Sequence, residues 1–336
     1  QLVRQDPISV EAFSAYVTMN ARFHVLGGTL SPLDGVGPDQ LNIRTLVERV
    51  ATEMQRAGGK RLRPVLTLLT SHLGDPTEQE VLDAAVVMEI THLATLYHDD
   101  VMDQASKRRG VDTAHMVWGN NVAILTGDLL FARASNIVSG LGDDSLKLQA
   151  KVFEQLVLGQ LHETIGPQDG QDPLQHYYEV LRDKTGSLIA LSAQIGALVS
   201  GAPKEYQEPL KQFGESIGVA FQLIDDIIDI QSTKDQSGKV AGTDLLAGVP
   251  TLPVLLLANH KDAASQALYL QIREGLEEED LQDVLGKLRA HKVMAESLEI
   301  THGWADRAKA ALDLLPASSV KSALIAFADA VVDRQG

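Results

Sequence analysis

The sequence predicts an all-α protein, a single-domain bundle of long helices around a central cavity. Apolar residues recur at helical intervals over long stretches, seven turns in one case. Alternating strand patterns are scarce, and aromatic residues are only 4% of the chain. The separators are short and contain Gly, Pro or Asp, as in "HLGDPTE", "GLGDDS", "GPQDGQDP" and "SGAPKE".

The elements follow in order. Residues 1–38 read as an N-terminal helix and loop segment, with "HVLGGTLSPLDGVGP" (24–38) the most loop-like part. Residues 39–336 read as one catalytic helical domain, because no low-complexity linker divides them. "GGKRLRP" (58–64) places a Gly pair and three cations before a helix-starting Pro. Helical spacing then covers 78–103, 119–140, 145–165, 173–200, 205–231, 250–259, 263–275 and 317–334; the long stretch 278–313 reads as two helices. Together these make a helix bundle.

Composition narrows the function. The chain has 336 residues, 44% hydrophobic and 22% charged, which is ordinary for a globular protein. Cysteine is absent, so disulfides, thiolate chemistry and thiolate metal sites are excluded, and a cytoplasmic setting is expected. A net charge of −16 repels nucleic acid and anionic lipid, so neither is an expected partner. No apolar run reaches the roughly 18 residues of a membrane span, and no transmembrane segment is expected. No leader pattern is visible at the start, and because the chain opens on Gln1 and not Met, a trimmed N-terminus is expected.

Two clusters of acid break the local rules. "YHDDVMD" carries Asp99, Asp100 and Asp103; "FQLIDDIID" carries Asp225, Asp226 and Asp229. Both are DDxxD, and both end a long apolar helix, where the macrodipole is already negative. Asp99 and Asp103 share a helix face, with Asp100 about 100° round. At this Asp frequency, roughly one chain in six would show a single DDxxD and about one in a hundred would show two. A solvated acidic face would need polar flanks, and "TLY…VM" and "FQLI…II" are apolar. Two carboxylate clusters facing a cavity would instead suit a hard cation. Mg2+ takes one or two carboxylates plus substrate phosphates, whereas zinc would want His or Cys.

Cations follow the acids. Lys60, Arg61 and Arg63 lie in "GGKRLRP", Arg108 and Arg109 follow the first cluster, Lys184 stands in "RDKTGSL" and Lys239 in "SGKVAG". Arg grips phosphate bidentately and Lys serves as a point charge. Any one of them alone reads as a surface cation; with paired acid clusters they read as a diphosphate site. "GGK" is no P-loop, because GxxxxGK[ST] and its strand are missing. His98–Asp99 could begin a metal phosphohydrolase motif, but His72, His92 and His115 complete none.

In order and spacing, "GGKRLRP", "HLATLYHDDVMDQASKRRG", "GDLLFARA", "GQLHE", "KTGSL" and "FQLIDDIID…GKVAGTDL" resemble the motif series of the trans-isoprenyl diphosphate synthases, the polyprenyl synthetase family. The resemblance runs from about Leu46 to Pro253 and implies the isoprenoid synthase type of helical fold. It implies condensation of an allylic diphosphate with isopentenyl diphosphate, head to tail. It further implies Mg2+, three ions per active site, held by Asp99, Asp103, Asp225, Asp226 and Asp229 with support from Asp100. Arg108, Lys184 and Lys239 would contact the allylic diphosphate. Lys60, Arg63, His92 and Arg109 would form a metal-free pocket for isopentenyl diphosphate. Thr185 and Gln222 match positions near the reacting carbons. A homodimer is the family habit.

Product length is read from the turns preceding Asp99, where Thr95, Thr91 and Met88 fall near its face and Ala94 on the flank. In short-chain members the positions four and five before the first Asp are bulky aromatics. Here they are Thr95 and Ala94, so a long-chain product is expected. Close helix packing would explain the same small residues. Phe153 is a candidate for the tunnel floor. The competing readings are a class I terpene cyclase, which would lose the second DDxxD, a non-catalytic subunit of a heteromeric synthase, which would lose aspartates or the basic motif, and a generic divalent-cation bundle, which would not need the cations.

Overall fold

The computed structural model describes residues 61–108, 110–232 and 241–334. It is all-α, as the periodicity predicts. The helices are α1 (Leu62–Ser71), α2 (Gln79–Met102), α3 (Ala114–Trp118), α4 (Asn120–Val138), α5 (Asp143–Ile165), α6 (Pro173–Leu181), α7 (Ser187–Val199), α8 (Gln207–Gln231), α9 (Thr243–Leu246), α10 (Leu252–Leu257), α11 (Ala263–Arg273), α12 (Glu278–Ala290), α13 (Val293–Ala311) and α14 (Ser319–Val332). The stretch 278–313 is two helices, as read. A π turn, Arg182–Gly186, joins α6 to α7. A two-stranded hairpin that periodicity does not signal, β1 (Lys107–Arg108) and β2 (Val111–Asp112), pairs Arg108 with Val111. The N-terminal segment 1–38 lies outside the described residues.

Local chemistry sets the helix ends. Asp172 caps α6 by accepting from Leu174 N at 3.0 Å, with Pro173 at the first helical position. Asp262 caps α11 through Ser265 N at 2.9 Å, and Ser318 caps α14 through Lys321 N at 3.2 Å. Gly119 and Gly142, with φ of 83° and 92°, break the chain before α4 and α5.

The backbone divides into two compact units, one from 61–151 with Leu191–Gln207, the other from Val152–Ala190 with 208–334. In the first, α2 packs along α1 and α4. Ala84, Val87, Met88, Ala94 and Tyr97 of α2 are fully buried. The second half of α7 presses on α1: a Cβ on Gly196 would lie 2.1 Å from the carbonyl oxygen of Thr67. In the second unit, α8 supplies a continuous core of Val219, Leu223, Ile224, Ile227 and Ile230, joined by Leu252, Leu257, Val284 and Leu288. Full burial of each large aliphatic chain contributes about 1.5–3 kcal/mol.

Two expectations change. The stretch Asn120–Leu141 is, by length and composition, apolar enough to cross a membrane, which the sequence reading overlooked. In this fold Ala123, Thr126, Gly127, Leu130 and Ala134 bury against the bundle, and Asp128 and Arg133 interrupt the other side. Phe153, the candidate for a tunnel floor, lies on an exposed face of α5.

Candidate active site

The first unit carries the first acid cluster at the end of α2. Asp99 and Asp100 are in its last turn, and Asp103 is the C-cap, donating its backbone N–H to the carbonyl of Asp99 at 2.8 Å. The helical step of 100° separates the roles. Asp103 is exposed and Asp99 half-buried, whereas Asp100 turns inward and is 1% exposed. Asp100 Oδ1 accepts from Arg108 Nε at 2.6 Å. The β1–β2 hairpin serves this contact by folding Arg108 back on Asp100, and Thr113 locks its base through Ala105 O at 2.6 Å. Burial raises the Asp100 carboxyl above its usual range, and the Arg108 charge offsets part of that rise.

His98 fixes α2 to α4. Its Nε2–H donates to Ile124 O at 3.0 Å, and its ring lies 5.6 Å from that of Phe131. A Cβ on Gly127 would lie 2.3 Å from His98 Nε2. This explains the "GD" of "GDLLFARA": only glycine admits the imidazole. The same Cβ would lie 3.2 Å from the backbone oxygen of Ala94, so α2 and α4 meet closely along this turn. Met88 and Thr91 are buried beneath it, and Thr95 Oγ1 donates to His92 O at 2.8 Å. Arg63 and His92 are both half-buried in this unit.

The second unit carries the remaining chemistry on α8 and around the π turn. Lys184 Nζ meets Glu163 Oε2 at 2.5 Å, and Gln155 donates to Asp183 at 2.8 Å, so α5 holds the turn by two side chains. Gly159 lets α5 approach, since a Cβ there would lie 2.6 Å from Lys184 N. On the other side Gly218 of α8 fits against Gly186, where a Cβ would lie 2.5 Å from the Gly186 Cα. Motifs "GQLHE" and "KTGSL" are thus one piece of packing, and Thr185 sits half-buried within it. The π turn inserts one residue into the helical repeat, a device that recurs at functional sites.

The second acid cluster divides its roles in the same way. Asp225 is half-buried and pairs with Arg334 at 3.0 Å. Arg334 also stacks over Phe221 at 4.1 Å and donates to Phe221 O at 3.1 Å. Asp226, which the sequence reading groups with the metal ligands, turns into the core and is 4% exposed. Its Oδ2 accepts from the Tyr177 hydroxyl and from Leu252 N at 3.5 Å. Burial pushes its pKa to about 7, although hydrogen bonds from Tyr177, Leu252 and Gln222 act downward. Asp229 accepts from Thr243 Oγ1 at 3.0 Å and Asp244 N at 3.3 Å, tying the 242–246 turn to α8.

That turn delivers a residue the sequence reading did not assign. Asp244 has a pKa raised to about 6, by burial first and then by the negative charges of Asp229 and Asp225. Its "GTDL" context was visible, but a lone Asp in a turn carries no period or pair to mark it. Asp225 and Asp229 lie within electrostatic reach of Asp244, and carboxylate oxygens suit a hard divalent cation better than zinc or copper. Lys60, Arg109 and Lys239 lie outside the described residues.

A His–Asp–His group elsewhere, His260, Asp262 and His291, is a capping network. Asp262 accepts from Ser265 Oγ at 2.6 Å, Ser265 Oγ lies 2.9 Å from His291 Nε2, and His291 Nδ1 accepts from Val293 N at 3.2 Å. With Nδ1 accepting, Nε2 carries the proton and has no lone pair for a metal.

The polyprenyl synthetase model matches residues 44–288. The chain belongs to the polyprenyl synthetase family. It is 43% identical over 282 residues to the nonaprenyl diphosphate synthase of Mycobacterium tuberculosis, covering 83% of this chain and 84% of that one. It is 35% identical over 275 residues to the heptaprenyl diphosphate synthase component 2 of Geobacillus stearothermophilus, covering 82% and 85%. The geranylgeranyl pyrophosphate synthase of Corynebacterium glutamicum, solved with calcium and isoprenyl diphosphate, superimposes with a TM-score of 0.83 at 40% identity over 98% of both chains. Like its family, this chain is a prenyltransferase of all-α fold that makes polyprenyl diphosphate.

Proposed function

We propose that the enzyme condenses an allylic diphosphate with isopentenyl diphosphate, head to tail, and repeats the step to a long all-trans product of about thirty to fifty carbons, by analogy with its relatives. The observation that supports the reading is the pair of DDxxD clusters, Asp99, Asp100 and Asp103 ending α2 and Asp225, Asp226 and Asp229 near the end of α8, in a chain that also keeps every basic motif. Asp99, Asp103, Asp225 and Asp244 would hold Mg2+. When bound, the metal neutralises the diphosphate leaving group. Asp100 and Asp226 orient the clusters through Arg108 and Tyr177, and Asp229 does so through the 242–246 turn.

The side chains then divide the work. Lys184, braced by Glu163, supplies a fixed positive charge to the allylic diphosphate, joined by Arg108 and Lys239. Lys60, Arg63, His92 and Arg109 grip isopentenyl diphosphate without metal. Thr185 and Gln222 flank the reacting carbons. The carbon–oxygen bond of the allylic diphosphate ionises to an allylic cation and diphosphate, and the isopentenyl double bond then attacks the cation. A proton then leaves the new chain, and the departed diphosphate accepts it, so no side-chain base is needed. Small residues at Ala94 and Thr95, above Thr91 and Met88, leave the growing tail its path. The enzyme works as a cytoplasmic homodimer.

The test is direct. Incubation with Mg2+, isopentenyl diphosphate and geranyl, farnesyl or geranylgeranyl primers should give a polyprenyl ladder by chromatography. Asp99→Ala, Asp225→Ala and Asp244→Ala should each reduce kcat by on the order of 100-fold or more. Ala94→Phe should shorten the product while sparing the first condensation. Absence of elongation with any primer would sink the reading.

A further inference from the structure

Arg61 stands inside the basic motif, between Lys60 and Arg63, yet its guanidinium faces the protein. It is the N-cap of α1, with φ 49° and ψ 35°, the left-handed region that side-chain-bearing residues avoid. It pairs with Glu89, and the two side chains are 13% and 7% exposed. Glu89 lies between Met88 and Ile90 in an otherwise apolar part of α2. A buried ion pair is weak evidence for stability, because desolvating two charges costs about what their attraction returns. Its placement says more. Glu89 and His92 are three residues apart, on one face of α2. Arg63 is two residues beyond Arg61, in the first turn of α1. One contact therefore ties the start of α1 to the turn of α2 that carries His92.

We propose that the Arg61–Glu89 pair is a positioning device for the metal-free diphosphate pocket. It fixes Arg63 against His92, and so sets the affinity for isopentenyl diphosphate without touching it. The inference rests on the assignment of Arg63 and His92 made above. A basic loop held only by its own backbone would sample several arrangements, and bidentate phosphate contact tolerates few of them. The left-handed Arg61 is the conformation the pair maintains.

Steady-state kinetics test this, with each substrate varied at saturating Mg2+ and saturating partner. Glu89→Gln and Arg61→Gly should raise KM for isopentenyl diphosphate about tenfold, with KM for the allylic diphosphate and kcat within about twofold. Arg61→Gly is the sharper variant, because glycine takes a positive φ without strain and removes only the side chain. Arg61→Lys, which keeps the charge, should recover most of the loss. Melting curves run alongside. Variants that melt lower with both KM values unchanged, or that raise both equally, would reduce the pair to a structural brace and overturn the proposal. Should Glu89→Gln fail to fold, the Arg61→Gly and Arg61→Lys comparison decides the matter alone. A wild-type enzyme that elongates no primer would instead refute the functional reading, which separates the two failures.

Discussion

A carboxyl with a pKa near 7 inside a cluster of acids has consequences for stability. Asp226 is raised from 3.8 by burial, so between about pH 4 and 7 the folded protein holds a proton there that the unfolded chain has released. Stability from this group is therefore whole below about pH 4 and is lost as pH rises through 7. In chelator, Asp226→Asn should flatten the fall in Tm between pH 5 and 8 and should melt a few degrees above wild type at pH 8, because an amide accepts from Tyr177 without a charge to bury. Calorimetry across that range checks it. The 100° step that sets Asp100 and Asp226 apart from their neighbours was legible in sequence, but the direction each faces was not, and Asp226 was grouped with the metal ligands. Nor were their partners legible. Tyr177 is 49 residues from Asp226, and Arg108 reaches Asp100 only because a hairpin without strand periodicity folds it back. Asp244 stayed hidden for a related reason, since its neighbours Asp225 and Asp229 are joined to it by folding and not by spacing.

At the scale of elements, three glycines decide how closely helices meet. Gly159, Gly186 and Gly218 bring α5 and α8 against the π turn, where a Cβ would collide with backbone and not with a yielding side-chain tip. Gly159→Ala should cost about 1–3 kcal/mol and shift Lys184, reducing kcat by on the order of tenfold or more. Gly140→Ala, where a Cβ meets nothing within 4 Å, is the control and should change neither melting nor rate. Helix existence and the break within 278–313 were legible because long amphipathic periods leave little choice. The π turn was not, because one added residue leaves the apolar period of 173–200 nearly unchanged.

For the whole molecule, two helices leave apolar faces bare. Ile124, Leu125 and Leu129 are exposed on α4, and Val157, Leu161 and Ile165 on α5. Rows this long on a folded surface mark an interaction site. The proposed homodimer would cover them, working against a charge of −16 on each copy. Sedimentation should give about twice 36.3 kDa, and Leu125→Glu with Leu129→Glu should return the monomer. Composition alone could foretell an ordinary folded chain but not these faces, because period reveals which side of a helix is apolar and not what will cover it. Helix α4 grips His98 beside Asp99 with its inner side and presents Leu125 with its outer side. Anything seated on that outer row is one helix thickness, about 10 Å, from His98, the chain neighbour of Asp99. A small molecule that pries neighbours apart would then silence the enzyme without ever entering its pocket.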